Sequence, residues 1–124
     1  MPNTAVIAIV DDDHSVREAL TSLVRSLGYA AMAFESAEDL LKSKRRGSVS
    51  CVIADVQMPG MTGLELYRRL SESEKPIPTI LITAYPEDGA RERALSAGVI
   101  GYLSKPFDED DLLACVRSAL TTSP

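Results

Sequence analysis

The sequence predicts an α/β domain built on one doubly wound, five-stranded parallel sheet. Three observations lead there. Short apolar runs of strand length alternate strictly, five times over, with segments whose apolar residues recur at helical spacing. The main runs are apolar throughout, without in-out alternation, which marks strands buried on both faces by covering helices. Four of the five runs also end at or just before residues able to do chemistry: Asp11 and Asp12, Asp55, Thr83, and Lys105. Right-handed crossovers would deliver all of these to the carboxyl edge, where open sheets of this class bind ligands.

The first strand is read at residues 5–10 and stops at three aspartates, Asp11 to Asp13. Val16, Leu20, Leu23, Val24 and Leu27 then fall at helical spacing, and Gly28 stands where a C′ glycine closes a helix. Asp13 suits that helix's N-terminus. A short Ala-rich strand follows from Tyr29 to Phe34. Ser36, with Asp39 three residues on, opens a short helix that frays into the basic run from Lys42 to Arg46. That run reads as a solvated helix end, where cations meet the negative end of the macrodipole.

The stretch from Ser50 to Asp55 is the organising strand, because an unpaired carboxylate beside apolar residues is costly to bury and demands a crevice or a cation. Pro59, Gly60 and Gly63 break the chain after it. Thr62 and Glu65 form a capping box for a helix with Leu64, Leu66, Tyr67 and Leu70 on its apolar side. After Pro76 and Pro78, the fourth strand runs from Thr79 and ends at Thr83. The helix read over residues 87–97 contains Gly89 and offers only Ala90, Ala94, Leu95 and Ala97 to bury, so it is expected to be the least firmly held. Gly98 ends it, Val99 to Leu103 forms the last strand, and Asp108 caps a final helix with Leu112, Leu113, Val116 and Leu120 on one side.

A chain of 124 residues suits one domain with a single core. A net charge of −5 argues against a nucleic-acid surface within these residues, since phosphate binding draws on clustered Lys and Arg. No apolar run approaches the roughly 18 residues needed to span a bilayer, and no signal-peptide pattern opens the sequence. The expectation is a cytoplasmic protein without a membrane association. Cys51 and Cys115 sit in apolar patterns and read as small core hydrophobes. His14, the only histidine, reads as a solvated residue in a helix's first turn.

Carboxylates converging at one edge repel unless a cation sits among them. Oxygen-only ligands favour Mg²⁺ or Mn²⁺ over zinc, and a magnesium bound by few carboxylates commonly works with a phosphoryl group. Lys105 would then supply a point charge and Thr83 a hydroxyl donor to that group's oxygens. Asp55 becomes the nucleophile, giving an aspartyl phosphate by in-line displacement with no strong general base.

Over practically its whole length the chain resembles the receiver domain of two-component response regulators. The matching residues are Asp11-Asp12, the run from Asp55 through Gln57, Met58, Pro59, Gly60, Met61 and Thr62 to Gly63, then Thr83, and Lys105-Pro106-Phe107. Val10 to Asp13, Ser36-Ala37-Glu38 and Lys105-Pro106-Phe107 are similar to the FixJ-like group, whose receivers precede helix-turn-helix outputs. The resemblance implies a flavodoxin- or CheY-like topology with strand order 2-1-3-4-5. It also implies a histidine kinase whose phosphohistidine donates to Asp55. Mg²⁺ would be held by Asp12, Asp55 and the Gln57 backbone carbonyl, with Asp11 acting through water. Thr83 and Tyr102 would be the switch pair, Pro59 and Gly63 structural loop residues, and Lys105-Pro106 a cis peptide bond. The fourth helix, fifth strand and fifth helix would form the output surface and the site of a phosphorylation-dependent homodimer.

Gln57 stands two residues past the acceptor, where basic or other polar side chains are also found in such receivers, and Tyr85 with Pro86 makes a bulkier loop after Thr83 than the Gly-rich one common in the FixJ-like group. Both line the expected approach of the hydrolytic water, which leaves the lifetime of the phosphorylated state open. Residues 1–124 are read as one receiver domain, either standing alone or forming the N-terminal part of a longer regulator. A haloacid-dehalogenase-like phosphohydrolase is the enzyme alternative. It needs an acid/base aspartate two residues past the nucleophile, where this chain has Gln57. A nucleotide or flavin module would want a Gly- or Ser/Thr-rich phosphate loop after the first strand, where three aspartates stand.

Overall fold

Strands and helices alternate as β1 (Val6–Val10), α1 (His14–Ser26), β2 (Ala30–Phe34), α2 (Ala37–Lys42), β3 (Cys51–Asp55), α3 (Gly63–Ser71), β4 (Thr79–Thr83), α4 (Ala90–Ala97), β5 (Gly101–Ser104) and α5 (Glu109–Thr121). The computed structural model describes residues 5–121; the end of the Thr-Thr-Ser-Pro tail lies outside them. All five strands pair in parallel in the order β2-β1-β3-β4-β5. The reversal falls between β1 and β3, and Asp55 and the residues after β1 lie at that switch point.

The two sheet faces carry separate halves of the core. Ile7, Ile9, Cys51, Ile53, Ile80 and Ile82 pack with Leu20 and Val24 of α1 and with Leu112, Val116 and Ala119 of α5. Ala8, Val10, Val52, Ala54 and Leu81 pack with Ala37 and Leu40 of α2, Leu66 and Leu70 of α3, and Ala94 of α4. Alternate residues of each central strand thus serve opposite faces, which is why β1, β3 and β4 contain an unbroken apolar run. A fully buried Leu or Ile contributes roughly 1.5–3 kcal/mol.

Caps set the helix starts. Asp13 Oδ1 accepts from Val16 N at 3.2 Å, Ser36 Oγ from Asp39 N at 3.1 Å, and Thr62 and Glu65 exchange bonds at 3.2 Å in a capping box. Gly28, at φ +97°, follows the α1 C-cap in the left-handed conformation that ends helices. The basic run turns out to be shaped: α2 ends at Lys42, a single 3-10 turn spans Arg46–Ser48, and Arg46 Nη1 donates to the Leu41 carbonyl at 3.0 Å.

Two expected boundaries need correction. The fourth helix begins at Ala90 instead of residue 87, because Gly89 is its N-cap at φ +77°, a conformation no helix interior accepts. The last strand begins at Gly101 instead of Val99, since Val99 N bonds back to the Ala94 carbonyl and finishes α4. Only Ala94 of α4 is buried, in keeping with its poor apolar content. Its far end is fastened to α3: Tyr67 Oη donates to the Ala97 carbonyl at 3.0 Å, and a Cβ at Gly98 would collide with that hydroxyl.

Candidate functional site

The carboxyl ends of β1, β3 and β5 bring charged side chains into one crevice. Asp11 follows β1 and is fully buried, while Asp55 is the last residue of β3 and is 8% exposed. Their oxygens and that of exposed Asp12 all lie within 4.8 Å of one another. Lys105, just after β5, places Nζ 3.5 Å from Asp11 Oδ2 and 3.6 Å from Asp55 Oδ2. Three carboxylates against one ammonium leave two uncompensated negative charges.

The other oxygens of the two buried acids are tied to backbone. Asp11 Oδ1 accepts from Asp13 N at 2.9 Å, and Asp55 Oδ1 from Gln57 N at 3.1 Å. Asp11 Oδ2 is buried and has no hydrogen-bond partner among the described residues, only the ammonium at ion-pair distance. Burial pushes the Asp11 carboxyl above its ordinary value. The Asp13 N–H and Lys105 oppose that rise, whereas Asp55 and Asp12 add to it. Arg17 does not enter the acidic cluster, yet its Nη1 donates to the Asp11 backbone carbonyl at 2.7 Å and holds the turn.

These residues fit a hard divalent cation. The donors are all oxygens, one buried donor lacks a partner, and the charge deficit is two. Oxygens bound directly to one Mg²⁺ sit at most about 4.2 Å apart, so carboxylate oxygens within 4.8 Å of one another are close enough to meet around one ion, directly or through a water.

The loop after β3 completes the edge. Gly63 N donates to the Val56 carbonyl at 3.1 Å, and a Cβ at position 63 would strike the Asp55 carbonyl and lie 2.9 Å from Leu81 Cδ2. Glycine is therefore required for α3 to start so close to β3. Met58 is buried in the core and anchors the loop, whereas Pro59 is exposed. The Lys105–Pro106 peptide bond is cis.

Thr83 ends β4 fully buried, but its hydroxyl is engaged with the neighbouring loops: it donates to Gln57 Oε1 at 2.8 Å and accepts from Tyr85 N at 3.0 Å. Tyr102 on β5 is 8% exposed and lines, with Val56, Gln57, Tyr85 and Ala94, a cavity of about 260 Å³ between α3 and α4. Reading the sequence missed the bond between Thr83 and the Gln57 side chain and the one from Arg17 to the Asp11 carbonyl; neither has a local sequence signal, since each depends on how separate elements meet.

The model of the response regulator receiver domain matches residues 7–117. The chain belongs to the response regulator receiver domain family. It is 42% identical over 120 residues to the response regulator protein TodT of Pseudomonas putida, covering 97% of this chain and 53% of TodT. It is 33% identical over 114 residues to the transcriptional regulatory protein FixJ of Bradyrhizobium diazoefficiens, covering 92% of this chain and 56% of FixJ. Among solved structures, the response regulator StyR superposes with a TM-score of 0.87 at 38% identity, covering 97% of this chain and 61% of StyR. The chain spans about half the length of the curated relatives it matches. As a receiver domain it is a signalling module of two-component systems, and receivers generally use Mg²⁺ and a histidine kinase partner. Among the described residues no helix is long and apolar enough to cross a membrane.

Proposed function

We propose that this receiver takes a phosphoryl group from a histidine kinase onto Asp55 and relays the change to an output through the α4–β5–α5 surface. The observation that carries the reading is the shared ammonium: Lys105 stands between Asp11 and Asp55 at the sheet's carboxyl edge, beside a third acidic group. Asp55 Oδ2 attacks phosphorus as the bond to the donor's histidine nitrogen breaks; with the other ring nitrogen of that phosphohistidine protonated, the leaving group is a neutral imidazole. Lys105 stabilises charge on the phosphoryl oxygens, and Thr83 donates its hydroxyl to one of them. Asp11, Asp12, Asp55 and the Gln57 carbonyl would hold Mg²⁺. When bound, the ion neutralises the surplus negative charge that would otherwise repel the incoming phosphoryl group.

The domain acts on itself and not on a separate substrate, so it is a switch with its own acceptor chemistry and not a metabolic enzyme. Thr83 and Tyr102 are the switch pair, and α4, with one buried residue, is the element whose position is easiest to bias. Residues 1–124 form one receiver, working in the cytoplasm. In a longer regulator, a transcriptional output and a phosphorylation-dependent homodimer through α4–β5–α5 would follow, as would contact with nucleic acid outside this acidic domain. The test is incubation with Mg²⁺ and acetyl phosphate followed by intact mass. A phosphate-sized gain that vanishes in Asp55→Asn is expected; a gain that persists would move the acceptor elsewhere.

A further inference from the structure

We infer that the Gln57 side chain is a positioning residue that withholds the Thr83 hydroxyl from oxygens carried on Asp55, and so sets how readily the acceptor site takes a phosphoryl-like anion. The inference rests on the reading of Asp55 as the acceptor. A threonine hydroxyl has one proton to donate. Here that proton goes to Gln57 Oε1 at 2.8 Å, while the oxygen also accepts one bond, from Tyr85 N at 3.0 Å. Thr83 is fully buried, so water offers no ready alternative partner.

The orientation of the carboxamide is fixed by its other end. Gln57 Nε2 donates to the Tyr85 carbonyl at 3.4 Å, and a flipped amide would set two oxygens against each other there. Gln57 N meanwhile donates to Asp55 Oδ1 at 3.1 Å, so one residue touches the acceptor through its main chain and the hydroxyl through its side chain. The Tyr85 side chain is 74% exposed and brings little packing to its loop. The bonds of the Gln57 side chain to Thr83 and to Tyr85 tie the loop after β3 to the end of β4 and its loop. Before Thr83 can donate to an anion on Asp55, the bond to Gln57 must be given up. Its loss is a fixed cost on anion binding, of the size of one neutral hydrogen bond.

Titration calorimetry with Mg²⁺ and fluoroberyllate, a phosphoryl mimic, tests this. Gln57→Met keeps the length and removes the acceptor, leaving the Thr83 proton free; the mimic should bind about fivefold more tightly than to the unaltered protein. In a Thr83→Val background, where no proton is at stake, Gln57→Met should change nothing. A purely structural role for Gln57 would shift affinity alike in both backgrounds. Unchanged or weaker binding in Gln57→Met overturns the proposal, as does an equal gain in the Thr83→Val background. Failure of the unaltered protein to bind the mimic, or binding that survives Asp55→Asn, would instead bring down the acceptor reading and this inference with it.

Discussion

Lys105 Nζ lies almost equidistant from Asp11 Oδ2, at 3.5 Å, and Asp55 Oδ2, at 3.6 Å. One ammonium on the loop after β5 therefore serves carboxylates from two other strands, and the two kinds of group make opposite contributions to stability. The Asp11 carboxylate is buried among like charges, whereas Lys105 relieves them.

Substitutions at these two positions should shift stability in opposite directions. In chelator at neutral pH, Asp11→Asn should raise stability by about 1 kcal/mol, or about 4 °C in Tm for a domain of this size. Lys105→Met should lower it by about 1–2 kcal/mol, because it leaves two carboxylates without their cation. Burial first of all raises the Asp11 carboxyl from its ordinary value of 3.8. The folded chain then binds that proton more tightly than the unfolded chain, so stability is lost as pH climbs from 3.8 through the raised value. The Asp11→Asn gain should accordingly be absent below about pH 3.8 and grow above it. Thermal unfolding across that range is the measurement. A gain that is constant with pH would mean ionisation of Asp11 is not its source.

Gly63→Ala should destabilise the domain by about 2–3 kcal/mol and slow phosphorylation by acetyl phosphate. The added methyl meets the Asp55 carbonyl, which belongs to the strand and cannot swing aside, and Leu81 Cδ2 at 2.9 Å. The acceptor's own backbone must therefore move. Gly47→Ala, with open space around the new methyl, is the matched control and should cost less than about 1 kcal/mol. Equal losses in chemical denaturation would show that the contact with Asp55 is not the cause.

Cys51 is buried in β3, and burial pushes its thiol up to about 12, with Cys115 adding to the rise. At pH 8 in the native state it should resist a thiol reagent, and half-buried Cys115 should react first. Both thiols should titrate in denaturant. Rapid labelling of Cys51 in the folded protein, read by peptide mass, would contradict the packing of β3 against α1 and α5.

Most of this site was legible because its residues advertise themselves locally. Asp55 ends an apolar run and precedes three chain breakers, and Asp11 and Lys105 stand at the ends of similar runs. The caps at Asp13, Ser36 and Thr62 follow short-range rules that three or four residues suffice to express. The Gln57–Thr83 bond joins residues 26 positions apart, and its existence depends on two loops meeting at a particular spacing. Gly89 misled because an isolated glycine inside a helical pattern and a glycine just before one look alike until φ is known. Met58 was hidden by its setting between Gln57 and Pro59, both exposed, in a stretch read as loop.

The bond from Tyr67 to the Ala97 carbonyl makes α4 a lever with its fulcrum at the C-terminal end. The helix has eight residues, about 12 Å of length, and its opposite end starts at Gly89 without a side-chain cap. A rocking motion of about 10° around that fulcrum carries the Gly89 end through about 2 Å while Ala97 hardly stirs. A tug from the loop beyond Thr83 would then swing the Gly89 end most and displace Ala97, held by Tyr67, least.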